Sequence, residues 1–262
     1  MDRFEKAATR LAEQRLSLTP IEPLAHSQRP ASEQDGYKVQ QALNRLLAAA
    51  GLGGVVGHKI GCTTPVMQRF LGIPNPCAGE VFEKTVLHRS GRVPRAGFVK
   101  LGIECEIAVE LGRDIYPQDA PFTRDSVAGS VAAVMAAIEI VDDRYADYGA
   151  LGVPTLIADD FFDAGCVLGE PNFDWRDLDL SGVSGATYIN GAQAGRGTGQ
   201  LVMGHPLEAL AWLARSRAQR GMGLRQGTFV LLGSVVETKW LRAGDEVRIE
   251  IEGLGDARLS VS

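Results

Sequence analysis

An α+β protein is what the hydrophobic patterning of this 262-residue chain predicts. Two stretches at the front repeat apolar residues at helical spacing, and a long series of short β-branched runs broken by Gly, Pro and Asn follows. One amphipathic helix interrupts that series late in the chain. The length allows a large core, and no internal repeat, low-complexity tract or linker divides it.

The front helices are residues 3–16 and 33–50. The second ends in Leu43-Asn-Arg-Leu-Leu-Ala-Ala-Ala50 before Gly51, and Ser32 with Glu33 and Asp35 supplies its start. Pro20, Pro23 and Pro30 keep the stretch between the helices irregular. Gly53 to Pro65 is a short apolar strand broken by glycines and carrying His58 and Lys59, which point to opposite faces because strand side chains alternate. Lys59 either reaches solvent or is aimed into a site, whereas a structural role suits His58. A helical turn or two spans 65–71, and Gly72-Ile-Pro-Asn-Pro-Cys-Ala-Gly79 reads as a loop. Short strands at 81–82 and 85–88 precede a turn at Ser90-Gly91.

Next comes Leu101 to Asp114, a β-branched run that sets Glu104 and Glu106 two residues apart. On a strand both side chains share one face, and two acids among Ile103, Ile107 and Val109 are costly if that face is dry and unpaired. Hard cations such as Mg²⁺ and Mn²⁺ take such oxygen ligands. A solvated strand face is the plain alternative. After a turn between Pro117 and Pro121, Thr123 and Asp125 open a helix expected to run through Ala137, followed by the strand Ile138-Glu-Ile-Val141. Glu139, set among large apolar residues, is the best third ligand. A salt bridge to Arg144 is the structural alternative, and Asp142 and Asp143 compete as ligand.

Asp159 and Asp160 either line a site or cap a turn, and 164–168 is an apolar strand. Asn190-Gly191 marks a hairpin, and Gly195-Arg-Gly-Thr-Gly199 reads as a flexible connection because it lacks the Lys-Ser/Thr ending of a phosphate loop. Residues 206–220 form the amphipathic helix, 228–239 a strand turning polar at Ser234, Glu237, Thr238 and Lys239, and two strands close the chain around Gly253-Leu-Gly-Asp256.

A net charge of −5 gives no basic tract for nucleic acid. No run approaches the roughly 20 apolar residues of a membrane span. The charged start Met-Asp-Arg-Phe-Glu-Lys is unlike a secretory signal. Cys62, Cys77, Cys105 and Cys166 form no Cys-x-x-Cys pair, so neither a zinc site nor a disulfide framework is signalled. The expectation is a reduced, cytoplasmic protein.

With Gly-His-Lys-Ile-Gly-Cys-Thr at 57–63, Ile-Glu-Cys-Glu-Ile-Ala at 103–108, Ala-Ile-Glu-Ile-Val-Asp-Asp-Arg-Tyr at 137–145, Ile-Ala-Asp at 157–159, Gly-His-Pro-Leu-Glu-Ala-Leu-Ala-Trp-Leu at 204–213 and Leu-Gly-Ser at 232–234, the chain resembles the 2-keto-4-pentenoate hydratase and 4-oxalocrotonate decarboxylase family of the fumarylacetoacetate hydrolase superfamily. The resemblance implies a mixed β-roll core with flanking helices. Residues 1–262 would be a single catalytic domain, with 1–52 mainly helical and 53–262 the β-roll core. It implies Glu104, Glu106 and Glu139 as ligands of Mg²⁺ or Mn²⁺, Lys59 and Glu106 as catalytic residues, and Gly233, Ser234 and Asp159 as substrate-binding residues. Two motifs depart from the family. Its Pro-Asp-Phe-Gly loop reads Pro76-Cys77-Ala78-Gly79 here, and its Ala-Asp-Asn followed by small residues reads Ala158-Asp159-Asp160-Phe161-Phe162.

The activity implied is a metal-dependent lyase, a hydratase that adds water to a small anionic 2-hydroxy-2,4-dienoate (2-oxo-4-enoate) in meta-cleavage catabolism of aromatic compounds. The alternatives are decarboxylation of a 2-oxo-3-enedioate, carbon–carbon hydrolysis of an acylpyruvate, and a non-catalytic subunit. The resemblance further implies a homo-oligomer and a complex with a related decarboxylase.

Overall fold

The computed structural model describes residues 1–262, the side chain of Tyr148 excepted. Two helices open the chain, α1 (Arg3–Leu16) and α2 (Glu33–Leu47). Asp2 accepts from the Phe4 and Glu5 amides, and Glu5 reaches back to the Asp2 amide, so the first turn of α1 has few orphaned donors. Ser32 caps α2 on the Asp35 amide.

The strands are β1 (Val55–Gly61), β2 (Cys77–Phe82), β3 (Val86–His88), β4 (Ser90–Val93), β5 (Leu101–Leu111), β6 (Val131–Asp142), β7 (Asp163–Leu168), β8 (Ser184–Ile189), β9 (Ala192–Thr198), β10 (Phe229–Trp240), β11 (Glu246–Ile251) and β12 (Gly255–Val261). They hydrogen-bond in the order β2-β1-β10-β5-β6-β7-β3-β4-β12-β11-β8-β9. Three neighbour pairs, β1 with β10, β3 with β7 and β4 with β12, are parallel and the others antiparallel, so the sheet is mixed. It also rolls back on itself. A Cβ at Gly197 of β9 would lie 1.8 Å from the Val235 carbonyl of β10, although those strands are far apart in the sheet order. The expected β-roll core with flanking helices is present.

That approach explains the Gly195–Gly199 run, expected to be a flexible connection. It lies mostly in β9, and its glycines let one layer touch the other. The largest correction concerns the alanine-rich segment before Ile138. The helix α4 (Arg124–Ala128) stops early, and residues 131–137 belong to β6. Strand β6 lies between β5 and β7 and is buried along nearly its whole length. The small side chains of Ala133, Ala136 and Ala137 read as helix formers, but tertiary burial overrides that preference. The expected loop at 72–79 ends earlier, because Cys77 to Gly79 pair with β1, and Ser90-Gly91 belongs to β4 rather than a turn. At Asn190-Gly191 both residues have positive φ, as the hairpin expectation requires.

The helices α3 (Pro65–Leu71), α5 (Tyr148–Leu151), α6 (Val153–Ala158) and α7 (Pro206–Ala218) complete the fold. No helix among the described residues is long and apolar enough to cross a membrane, and the four cysteines are free and buried.

The front helices brace the segment between α6 and β7. Gln40 of α2 donates to the Ala78 and Ile157 carbonyls, and Asn44 donates to Asp160. Arg15 of α1 lies 3.1 Å from Asp160 Oδ2 and donates to the Asp163 carbonyl. Arg144 donates to Asp159 at 2.7 Å and also to the Asp163 carbonyl. Burial pushes Asp160 and Asp163 up to about 7, although Arg15 pulls both down. Their folded values lie above the unfolded 3.8, so they favour the fold most at low pH. That contribution is lost as pH rises through about 7. Once ionised, both depend on Arg15. Replacing Arg15 with Ala is therefore expected to cost about 3 kcal/mol of stability at pH 8. The loss at pH 5 should be clearly smaller, as read from urea unfolding at both pH values. Equal losses would contradict the assignment.

Candidate metal centre and active site

Strand register brings the acids together. In the antiparallel pair β5 and β6, Glu104 stands directly opposite Glu139, and Glu106 follows two residues later on the same strand. One carboxylate oxygen from each lies within 4.8 Å of the others. Glu106 and Glu139 are fully buried, and Glu104 is partly so. Like charges directly opposite on a sheet repel, and burial adds desolvation.

Only part of that cost is met by protein groups. Lys59 Nζ forms an ion pair with Glu139 Oε1 at 2.9 Å and donates to the Phe161 carbonyl. Glu106 Oε2 accepts from the Gly233 amide at 2.9 Å, and Glu104 accepts from the Thr238 hydroxyl. Glu106 Oε1 and Glu139 Oε2 are buried with no hydrogen-bond partner. Burial, then the charges of Glu139 and Glu104, hold Glu106 well above the usual carboxylate range. Burial also raises Glu139, against the pull of Lys59. Burial works against the Lys59 charge, but the three glutamates outweigh it and keep the ammonium protonated above an ordinary lysine. Three clustered carboxylates with orphaned oxygens fit a hard divalent cation by number and donor type.

A cavity of about 160 Å³ opens beside Glu104 and Lys59. That is smaller than the roughly 300–1,000 Å³ of drug-sized sites, so it suits a small acid. Lys59, Glu104, Asp143 and Thr238 are its polar lining, and Phe161, Phe162, Trp240 and Val141, with Met67, Phe70 and Leu71 of α3, most of the remainder. Two larger surface hollows, around Arg113 and around Trp212, contain none of the three glutamates.

The lysine's carbonyl partner comes from an unusual turn. Asp160, Phe161 and Phe162 have φ of 56°, 50° and 68° in succession. Each left-handed residue costs about 1–2 kcal/mol, so surrounding bonds must fix the turn. The Glu80 amide and Asn44 donate to Asp160, and the Asp142 amide donates to the Phe162 carbonyl. Gly79 has no Cβ, which would sit 2.4 Å from the Asp160 carbonyl.

Lys59, Glu104, Glu106 and Glu139 thus converge on one centre. The others divide. Gly233, at φ 119°, donates its amide to Glu106, and Ser234 pairs with Glu106 in the sheet register while its hydroxyl donates to the Cys105 and Val236 carbonyls. Neither lines the cavity. Asp159, expected to bind substrate, is fully buried beneath it on Arg144 and Tyr145. It does not line the cavity. Glu139 meets Lys59, not Arg144, while Asp142 accepts from the Val99 and Lys100 amides and Asp143 pairs with Lys100. His58 faces away as expected, toward Glu80 and Arg217, and burial holds it down to about 4. Cys77, in the departed loop, is buried with its thiol pushed well up by burial.

Sequence reasoning missed Thr238 as the Glu104 partner, and Phe161, Phe162 and Trp240 as cavity walls. The polar Thr238 at the end of an apolar strand was the available signal for the first.

Residues 77–262 match the family described as fumarylacetoacetate (FAA) hydrolase C-terminal. A 2-keto-4-pentenoate hydratase of Paraburkholderia phymatum is 35% identical over 261 residues, 100% of this chain and 98% of that protein. A 2-hydroxyhexa-2,4-dienoate hydratase of Comamonas testosteroni is 31% identical, covering 96% of this chain and 95% of that one. In fold, the 4-oxalocrotonate decarboxylase of Pseudomonas putida G7, solved with magnesium and adipate, superposes with a TM-score of 0.91 at 23% identity, over 99% of this chain and 97% of that one. With a matched family region and relatives aligned along its whole length, the chain belongs to the fumarylacetoacetate hydrolase family, among the 2-keto-4-pentenoate hydratases.

Proposed function

We propose that the protein is a divalent-cation-dependent hydratase that adds water to a 2-hydroxy-2,4-dienoate to give a 4-hydroxy-2-oxo acid, in the breakdown of aromatic ring-cleavage products. The observation that carries this reading is the carboxylate trio ion-paired with Lys59, of which Glu104 and Lys59 line a small cavity. The hydratase relatives support it. Glu104, Glu106 and Glu139 would hold Mg²⁺ or Mn²⁺. When bound, that cation supplies Lewis-acid stabilisation of negative charge developing at the substrate's 2-oxygen.

The chain's own groups do the rest. Three carboxylates, one divalent cation and one ammonium sum to zero charge, so the site accepts an anionic acid without net repulsion. Lys59 holds a proton at Nζ inside the cavity, where it serves the proton transfers to the dienol carbons that accompany addition of water at C4. Thr238 and the Gly233 amide fix Glu104 and Glu106, and the Ser234 hydroxyl ties β10 to β5 beside Glu106. The Phe161 carbonyl aims the ammonium. A homo-oligomer in the cytoplasm, in complex with a related decarboxylase, is the setting the family resemblance suggests.

Decarboxylation of a 2-oxo-3-enedioate is the second reading, favoured by the fold match to a decarboxylase. Release of CO₂ rather than addition of water separates the two.

Chelator-stripped protein should leave 2-hydroxypenta-2,4-dienoate absorbance unchanged, and added Mg²⁺ or Mn²⁺ should restore its loss with a 4-hydroxy-2-oxo acid as product. No loss under either condition, with metal bound, contradicts the hydratase reading. The Glu106→Gln variant should bind Mn²⁺ at least about 100-fold more weakly by titration. Unchanged affinity and turnover would remove it from the ligand set. Lys59→Met should retain Mn²⁺ while turnover falls by about 10²–10⁴-fold. Turnover near that of the unmodified protein would exclude the role assigned to the lysine.

A further inference from the structure

Away from the three glutamates, α2 and α7 line a hollow of about 400 Å³, within the roughly 300–1,000 Å³ of small-molecule sites. Trp212, Arg215, Ser216 and Gln219 follow at helical spacing along one side of α7 and its C-terminal cap. That side differs from the buried stripe of Leu207, Leu210, Ala211, Leu213 and Ala214 that holds α7 to the core. Across the gap stand Glu33, Gln34 and Tyr37 from the start of α2, with Asn75 from the chain entering β2. The walls are therefore polar and charged, with aromatic rings at Tyr37 and Trp212.

The charges of this lining favour an anion. Arg217 is paired with Glu80 at 2.8 Å, but among the described residues no carboxylate pairs with Arg215 or Arg220, the two arginines that line the hollow. Arg215 donates to the Phe122 carbonyl, and Arg220 donates through Nε to the Ser216 carbonyl, so each guanidinium is anchored with further N–H groups to spare. Arg220 also lies 3.9 Å over the ring of Tyr37, whose buried hydroxyl accepts from the Ala78 amide. Burial pulls Arg220 below an ordinary arginine and Arg217 adds to that, against Tyr37 and Glu80, a deficit that a bound anion would offset. The one acid of the lining, Glu33, accepts from the Asn75 side chain at 3.0 Å. Two arginines and one glutamate leave one positive charge here, in a chain of net charge −5. The hollow around Arg113 has the opposite balance, with Asp114, Asp119 and Asp125 against one arginine.

A single positive charge suits a monoanion, whereas a polyphosphate would meet Glu33 with charge left over. The planar guanidinium fork matches a carboxylate, and the Trp212 indole offers a flat face to a ring. We propose that the hollow between α2 and α7 is a second ligand site, separate from the three glutamates, that binds a small aromatic carboxylate with its acid group on Arg215 and Arg220 and its ring against Trp212. The site stands apart from the hydratase reading and does not depend on it.

Benzoate is the probe, titrated calorimetrically into chelator-stripped protein so that no cation at the glutamates holds it. One benzoate should bind per chain, more tightly than inorganic phosphate, and several-fold more tightly than cyclohexanecarboxylate, the scale of an aromatic pair. Arg215→Gln and, independently, Arg220→Gln should each weaken benzoate about tenfold or more, as expected for a lost hydrogen bond between charged groups. Trp212→Leu should erase the preference over cyclohexanecarboxylate, and Lys59→Met should leave benzoate affinity unchanged. Thermal melting reports whether each variant is folded, and the exposed Arg215 is replaced without disturbing the core. No binding by the unmodified protein, phosphate binding as tightly as benzoate, binding lost in Lys59→Met, or unchanged affinity in both folded arginine variants overturns the site.

Discussion

Glu104 facing Glu139 across β5 and β6 is the constraint from which the site follows. The register of two long buried strands fixes the pairing, so the charges cannot move apart without unpairing the centre of the sheet. Glu106, two residues along β5, completes the cluster because strand side chains repeat every second residue. Lys59 enters from β1 on the far side of β10 and offsets one charge. The orphaned oxygens of Glu106 and Glu139 mark what the protein leaves for a cation to satisfy.

The remaining layers hold that arrangement in place. Gly233 reaches φ 119°, where its Cβ would collide with Thr63, and thereby turns its amide toward Glu106. On the other flank, α1 and α2 brace the left-handed turn at Asp160–Phe162, whose carbonyl at Phe161 aims Lys59. The front helices therefore act on the chemistry through one strained turn, although they contribute no group to the cavity lining. Arg15, Arg144 and the aspartates at 159, 160 and 163 are the buried ionic joint of that connection.

Local pattern pointed to the acids, while it left Lys59 between solvent and a site. A carboxylate pair at strand spacing, and a third acid among large apolar residues, already single out Glu104, Glu106 and Glu139. The front helices, the hairpin at Asn190-Gly191 and the alternation of His58 and Lys59 were legible for the same reason, since each depends on near neighbours in sequence. What escaped depends on distant ones. The alanines of β6 become strand only because β5 and β7 flank them, and the glycines of β9 make sense only once β10 lies against them. Asp159, given to the substrate only by the family resemblance, is buried on Arg144 and Tyr145, a placement that follows from long-range packing. The phenylalanines at 161 and 162 looked like departures from a motif, and their facing the cavity is a property of three backbone angles no sequence rule anticipates.

The most direct test of the central claim is a crystal of the protein soaked in Mn²⁺ and measured for anomalous scattering. The account predicts one strong peak in contact with carboxylate oxygens of Glu104, Glu106 and Glu139. A peak elsewhere, or none at this cluster despite measurable Mn²⁺ binding in solution, would contradict it.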